Sequence, residues 1–216
     1  MPDSRRQKVY LEIGKSRVFA SAADWPGWTR AGKDEKTALE ALAIAAPRYA
    51  PVPKAARVAF APADGFEVVE RLPGNATTDF GAPGAIANAE SKRLTKKEAG
   101  RLSALVAASW TVFDRVVEKA PASLRKGPRG GGRDRDAIVE HVLGAETAYA
   151  RKLGLRLKQP AAGDTAAVRE HRNAIVAALR AGTKGVTGGG WPARYVARRT
   201  AWHALDHAWE IEDRTV

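Results

Sequence analysis

Two histidines near the C-terminus are the residues whose type and spacing first suggest chemistry. They are His203 and His207 in the stretch "WHALDHAWE", residues 202–210, and the 216-residue chain has only four histidines. Residues four apart on a helix share a face, with Cβ atoms about 6 Å apart, so the two imidazoles can converge on one ion. Glu210 lies one turn further along this face, where it can orient an imidazole N–H or accept a proton.

A metal site that catalyses a reaction needs a third protein ligand, and His141 is the candidate. It lies in the helical stretch "DAIVEHVLGAETAYARKLG", residues 136–154, on an apolar face of mostly small residues that leaves room for an ion or a substrate. His171, in the charged stretch "VREHRNAIV", is predicted to lie on a solvated edge, outside the site. A single histidine on an apolar face is typical of a core residue, but burying three unpaired imidazoles would be costly. The set as a whole therefore favours a metal site.

Two charged residues of the C-terminal segment have alternative roles. Arg199 shares the face of His203, and it can either hold an anionic group of a substrate or form a salt bridge with Glu210 or another carboxylate. Asp206 is offset around the helix, which is typical of a surface acid or of an ion pair with a nearby arginine. The tryptophans of this segment are predicted to pack in the core rather than to line a pocket.

The composition restricts the kind of site that the chain can build. There is no cysteine, so disulfides and zinc–thiolate sites are excluded and a metal would have to bind nitrogen and oxygen ligands. A reaction that uses a thiol would need one from a substrate or a cofactor. No apolar run is long enough for a signal peptide or a membrane-spanning helix, so we expect a cytoplasmic protein.

The net charge of +12 is concentrated in the second half of the chain. Residues 1–90 contain 12 Lys and Arg against 11 Asp and Glu, whereas residues 91–216 contain 24 against 13. Basic clusters can mark a nucleic-acid interface, but aromatic residues do not alternate with these, as stacking of single strands requires. A solvated surface is the favoured interpretation. The basic residues concerned are Lys92, Arg93, Lys96, Lys97, Arg125, Lys126, Arg129, Arg133 and Arg135.

From residue 94 onwards, apolar residues recur with the period of a helix. Stretches rich in Gly and Pro, such as "APASLRKGPRGGGRD" and "AGTKGVTGGGWP", interrupt the pattern. Four helices of the remaining lengths pack most economically as a four-helix bundle. The helices are predicted at 94–119, 134–153, 164–181 and 191–213.

The first part of the chain alternates apolar and polar residues, which is typical of strands. One helical segment interrupts the alternation; Asp34 can cap its start, and Pro47 is expected to end or kink it. The turn signal "PG" at residues 26–27 ends the second strand. The predicted elements are strands at 8–14, at the start of 17–32 and at 66–74, and a helix at 34–50.

Little periodicity and many Gly, Pro, Thr and Asn residues are typical of a linker between the two parts. The expected fold class is therefore α+β, with a small β-β-α-β domain followed by a four-helix bundle. The predicted boundaries are 1–75 for the first domain, 76–93 for the linker and 94–216 for the bundle.

The first domain resembles the HicB-like fold, a small sheet backed by one helix. The resemblance covers roughly residues 8–74 and rests on the turn "DWPGW" at 24–28 followed by "GKDEKTALEAL" at 32–42. It implies an antitoxin-type or partner-binding module. A purely structural sheet that covers part of the neighbouring bundle is the equally open alternative.

Residues 94–216 resemble the DinB/YfiT-like superfamily, in which four helices surround a divalent metal held by three histidines. The resemblance rests on "IVEHVLGAETAYARKLG", "EHRNAIVAALRAG" and "RYVARRTAWHALDHAWEIEDR", in the family's order. It implies helices connected up-down-down-up, with His141 as the ligand on the second helix and His203 and His207 as the HxxxH pair. Members include S-transferases and isomerases that use a low-molecular-weight thiol such as mycothiol or bacillithiol.

Two hypotheses of different classes follow. The leading one is a metal-dependent enzyme, either an S-transferase that uses such a thiol or a hydrolase. Three neutral imidazoles suit Zn²⁺ or Ni²⁺ and leave positions open for a thiol or a water molecule, whose pKa the ion lowers. The alternative is a non-catalytic protein, in which the HicB-like domain binds a protein or nucleic acid and the bundle is a scaffold. We expect the protein to bind a small-molecule substrate and not to bind a membrane. Binding of a nucleic acid is possible but not favoured. A protein partner of the HicB-like domain and a homodimer both stay open.

Overall fold

The computed structural model describes residues 6–61, 64–127, 131–182 and 190–215. Its strands form a single mixed sheet, and its long helices lie in the second half of the chain, so the predicted α+β class is confirmed. The elements in chain order are β1 (Gln7–Ile13), β2 (Val18–Ala22), β3 (Thr29–Gly32), α1 (Glu35–Ile44), α2 (Ala46–Tyr49), α3 (Pro51–Ala55), β4 (Phe66–Pro73), α4 (Ala76–Phe80), a 3-10 turn (Asn88–Ser91), α5 (Lys96–Lys119), α6 (Arg135–Lys152), α7 (Thr165–Ala181) and α8 (Ala193–Arg214).

The sheet has the strand order β3-β2-β1-β4, with β4 parallel to β1 and the other pairs antiparallel. The predicted β-β-α-β order is wrong by one strand, because the chain pairs again after the "WPGW" turn and forms β3. Gly27 makes this reversal possible with a φ of 92°, a conformation that costs glycine little. The Trp28 amide closes the turn by donating to the Trp25 carbonyl at 3.0 Å.

The segment expected as one helix at 34–50 forms two short helices, α1 and α2, and α3 begins just after it at Pro51. Asp34 caps α1 as predicted, because its side chain accepts a hydrogen bond from the Thr37 amide at 2.8 Å. The break comes at Ala45, before Pro47, which lies in the first turn of α2. A proline fits the first turn of a helix because the N–H groups of that turn have no partner within the helix, so the missing N–H of proline costs no hydrogen bond.

The four long helices confirm the predicted helical segments to within two residues at each end. α5 packs against α7 and α8, and α6 packs against α8. α8 is the most enclosed, with buried residues on all sides over most of its length, including Tyr195, Trp202 and Trp209. A helix that is buried all round lies at the centre of its domain. Among the described residues, no helix is both long and apolar enough to cross a membrane.

The sheet packs directly on the end of α8 that carries the histidines. Within the described residues, one hydrophobic core runs from the strands to the four long helices. In the β2–β3 turn, a Cβ added to Gly27 would lie 2.6 Å from Leu205 Cδ1, so any larger residue would displace the Leu205 side chain. Arg48 adds ion pairs with Glu212 at 2.8 Å and Asp213 at 2.7 Å.

The segment predicted as a linker contains α4 and the 3-10 turn. Glu90 of this turn is only 4% exposed and forms an ion pair with Arg198 of α8 at 2.6 Å. The Ala87 amide donates to the same carboxylate at 2.9 Å. A buried ion pair therefore holds this segment against α8. The division of the chain into two domains with a linker stays a prediction.

Candidate metal centre

Two helices bring the three predicted histidines together. His203 and His207 project from one face of α8, and His141 projects from α6, which packs against it. One ligand atom from each of the three residues can be chosen so that all lie within 4.8 Å of one another. The Nε2 atoms of His141 and His203 are 3.2 Å apart. The three imidazoles are thus close enough to hold one metal ion.

Glu210 orients His207 within this cluster. Its Oε2 lies 2.7 Å from His207 Nδ1, and its Oε1 accepts a hydrogen bond from Arg214 Nη1 at 2.6 Å. The hydrogen bond with His207 lowers the pKa of Glu210, so the group is a carboxylate that only accepts. Nδ1 of His207 therefore carries the hydrogen, which leaves Nε2 with the lone pair that a metal needs.

Burial keeps two of the histidines uncharged near neutral pH. His203 is 8% exposed, and burial, followed by the neighbouring His207 and His141, holds its pKa well below the ordinary value. Burial and His207 also lower the pKa of His141. Neutral imidazole is the form that binds a metal, so neither ring has to lose a proton on binding near pH 7.

The chemistry of the cluster fits a divalent metal. Two neutral Nε2 atoms that face each other at 3.2 Å can share at most one hydrogen, and His203 Nδ1 is buried without a hydrogen-bond partner. Burying lone pairs and N–H groups without partners is costly. A cation between the rings would provide a common partner, since imidazole nitrogen is a good ligand for several first-row divalent metals.

Arg199 lies one turn before His203 on α8 and is 7% exposed. Its Nη1 donates to the Pro83 carbonyl at 3.0 Å, and its Nη2 donates to the Tyr149 hydroxyl at 3.1 Å. The salt bridge with Glu210, one of the roles open for Arg199, is absent because about 16 Å of helix separates the two residues along α8; Glu210 contacts His207 and Arg214 instead. Across the described ranges no carboxylate lies within ion-pair distance of Arg199.

Asp206 and the tryptophans behave as the sequence predicts. Asp206 forms an ion pair with Arg30 of β3 at 3.4 Å. Trp202 and Trp209 are 5% and 3% exposed, so they belong to the core. Arg30 also lies over the Trp209 ring at 4.8 Å, which joins the sheet to the helix beside His207.

Tyr149 and Trp191 are neighbours of the cluster that the sequence did not single out. The Tyr149 ring lies 6.0 Å from that of His203 and 5.4 Å from that of Trp191, and both side chains are partly exposed. Tyr149 is eight residues after His141 on α6, two helical turns further on the same side. That spacing could have identified Tyr149 from the sequence. Trp191 precedes α8, and no comparable spacing relates it to a histidine.

The prediction for His171 is wrong, because the residue is 5% exposed and lies inside the bundle. Its Nε2 is 3.5 Å from Thr147 Oγ1 of α6. Its charged neighbour Arg172 is buried as well, held by Glu146 at 3.0 Å and Asp114 at 2.9 Å. Arg172 and Asp114 also border a cleft of about 670 Å³ between α5, α6 and α7, which the three clustered histidines do not line.

No family model, curated protein or solved structure matches the chain. The class of the protein is therefore defined by its own fold and site. It is an α+β protein in which two helices bring three histidines close enough to bind a metal ion.

Proposed function

We propose that the protein is a divalent-metal-dependent enzyme in which His141, His203 and His207 hold Zn²⁺ or Ni²⁺. The observation that carries the proposal is the convergence of three imidazoles within 4.8 Å, one of them oriented by Glu210. When bound, such an ion supplies a Lewis acid that makes a thiol or a water molecule more acidic.

The residues of the chain have separate tasks in this proposal. Glu210 fixes the tautomer of His207 and increases the basicity of its Nε2. Burial of His203 keeps water away from one side of the centre and strengthens electrostatic interactions there. Glu210 has both oxygens engaged by His207 and Arg214, so orienting His207 is its main task and accepting a proton is secondary.

The reaction class that we favour is the transfer of a group with a low-molecular-weight thiol, such as mycothiol, as cofactor; metal-dependent hydrolysis is the alternative. The resemblance of residues 94–216 to the DinB/YfiT-like superfamily supports the thiol. Because the chain has no cysteine, such a reaction would take its thiol from the cofactor or the substrate.

Metal content tests the proposal. The chain without a His-tag is incubated with Zn²⁺ or Ni²⁺, desalted, and analysed by mass spectrometry of the metal. We expect about one equivalent for the wild type and a loss for both His141→Ala and His203→Ala. His171→Ala is the matched control, because this buried histidine lies outside the cluster and its loss should leave the metal content unchanged. A wild type that retains no metal would refute the proposal.

The reaction class has its own test. Zinc-loaded protein is incubated with mycothiol and a panel of small electrophiles, and thiol consumption is compared with that of His203→Ala. A metal-dependent rate in the wild type supports an S-transferase. Thiol-independent hydrolysis of esters or amides by the wild type would instead assign the hydrolase.

The competing function is binding of nucleic acid or protein without catalysis. Its specific support is the basic second half of the chain, but several of those residues are engaged within the protein. Lys126 pairs with Asp134 at 2.6 Å, and Arg125 donates to the Asp213 carbonyl at 2.8 Å; Arg129 lies outside the described residues. Binding to a DNA duplex that weakens steeply with salt would favour this function. A protein partner of the HicB-like domain and a homodimer stay predictions.

A further inference from the structure

Among the described residues of the four long helices, three arginines are buried, and one of them has no carboxylate partner there. Arg172 pairs with Glu146 and Asp114, and Arg198 pairs with Glu90. Arg199 donates only to two neutral oxygens, the Pro83 carbonyl and the Tyr149 hydroxyl. Burying a cation without an opposite charge is unfavourable. Unlike Arg172 and Arg198, Arg199 therefore has a buried charge that a bound anion would neutralise.

The surroundings of Arg199 compensate its charge only in part. The guanidinium lies over the rings of Tyr149 at 5.5 Å and Trp202 at 5.0 Å. The Pro83 carbonyl that accepts from Arg199 belongs to the same peptide group as the Gly84 amide. That amide donates to the Glu12 carboxylate at 2.8 Å, so Glu12 is linked to Arg199 only through the peptide group. Of the five guanidinium N–H groups, the Nε–H is buried without any partner.

Arg199 and Tyr149 together present hydrogen-bond donors beside the metal centre. The Tyr149 hydroxyl accepts from Arg199, so its own hydrogen is left to donate. Tyr149 is partly exposed and contacts His203 edge-on at 6.0 Å, so a ligand can approach the pair from solvent and reach the histidines.

We infer that the ligand of the metal centre carries a carboxylate that binds Arg199 and the Tyr149 hydroxyl, with its reacting atom at the three histidines. This inference rests on the proposed metal-dependent function. A single guanidinium matches the single charge of a carboxylate and binds it through parallel hydrogen bonds. One helical turn, about 5.4 Å, separates Arg199 from His203 along α8. The carboxylate therefore lies only a few bonds from the reacting atom, and it belongs either to the substrate or to a thiol cofactor that itself carries a carboxylate.

The test uses Co²⁺ in the metal centre, because its visible absorption changes when a ligand reaches the ion. Two pairs of probes differ by a carboxylate: acetate against succinate, and 2-mercaptoethanol against 3-mercaptopropionate. We expect the wild type to bind succinate at least about tenfold more tightly than acetate, or 3-mercaptopropionate at least about tenfold more tightly than 2-mercaptoethanol. Hydrogen bonds between charged groups can supply a difference of this size. Arg199→Met should abolish this preference and leave the metal content at one equivalent.

Two further variants separate a local contact from general electrostatics and from misfolding. Arg133 is exposed, and its charge acts on both His141 and His203, so Arg133→Met removes a nearby charge without the contact and should keep the preference. Tyr149→Phe keeps the arginine and should weaken the preference severalfold. If Arg199→Met does not fold, Arg199→Lys takes its place, because lysine keeps the charge and loses the planar fork.

Each outcome decides the inference. An Arg199-dependent preference in the succinate pair assigns the carboxylate to the substrate, and one in the thiol pair assigns it to the thiol. One equivalent of metal with no Arg199-dependent preference in either pair overturns the inference and leaves the metal centre intact. Failure of the wild type to bind Co²⁺ or Zn²⁺ overturns both the inference and the proposed function.

Discussion

The hydrogen bond between Glu210 and His207 provides a sharp test of the metal centre. Glu210→Gln keeps the shape of the side chain and an oxygen that can accept, but it removes the negative charge that faces His207 Nδ1 at 2.7 Å. The amide also leaves Arg214 without its carboxylate partner. Replacing a group that orients a metal-bound histidine typically lowers metal affinity about 10- to 100-fold. We therefore expect the affinity for Zn²⁺ to fall by about 1.4 to 2.7 kcal/mol.

The affinity is measured by competition with a chromophoric chelator at pH 7.5. Glu212→Gln is the matched control, since it removes the same charge from the same helix, at a residue that pairs with Arg48 on the surface. We expect the control to bind Zn²⁺ within about twofold of the wild type. Equal affinities of Glu210→Gln and the wild type, or an equal loss in both variants, would refute the role of Glu210.

Three further predictions concern the scaffold and its pH dependence. Arg198→Met should lower the free energy of unfolding by about 3 to 5 kcal/mol, because it leaves Glu90 charged and buried; urea unfolding should show part of this loss restored in a double variant with Glu90→Gln. Gly27→Ala should cost about 1 to 3 kcal/mol in the same assay, since φ is 92° and the added methyl group meets Leu205; an unchanged urea midpoint would contradict the contact. Burial lowers the pKa of His171 below 6.5, so the unfolded chain binds more protons and the metal-free protein loses stability as the pH falls from 6.5. His171→Leu should make this loss shallower by up to about 1.4 kcal/mol per pH unit, and parallel pH profiles of the two proteins would argue against it.

Local pattern was sufficient for the parts of the fold that depend on it. The 3.6-residue period and the Gly- and Pro-rich breaks predicted α5 to α8 to within two residues. β3 is only four residues long, too short for alternation to be recognised, and its pairing with β2 depends on the turn at Gly27. The helix predicted at 34–50 is divided at Ala45 because Pro47 suits the first turn of a new helix, and Pro51 likewise begins α3 just beyond the predicted end.

The candidate site shows the same limit. Two local features were enough to predict that the three histidines lie close together. They are the i,i+4 spacing of His203 and His207 and the apolar face that carries His141. His171 was misplaced because its charged neighbours suggested solvent, whereas Arg172 is in fact neutralised by Glu146 and Asp114 on two other helices. Such pairings between distant segments leave no local pattern in the sequence.

Crystals grown with Zn²⁺, with data collected on both sides of the zinc absorption edge, test the central claim most directly. The account predicts one anomalous peak between α6 and α8, about 2.0 to 2.1 Å from a nitrogen of each of His141, His203 and His207. Zinc bound only elsewhere, with these three rings left in contact with one another, would contradict it.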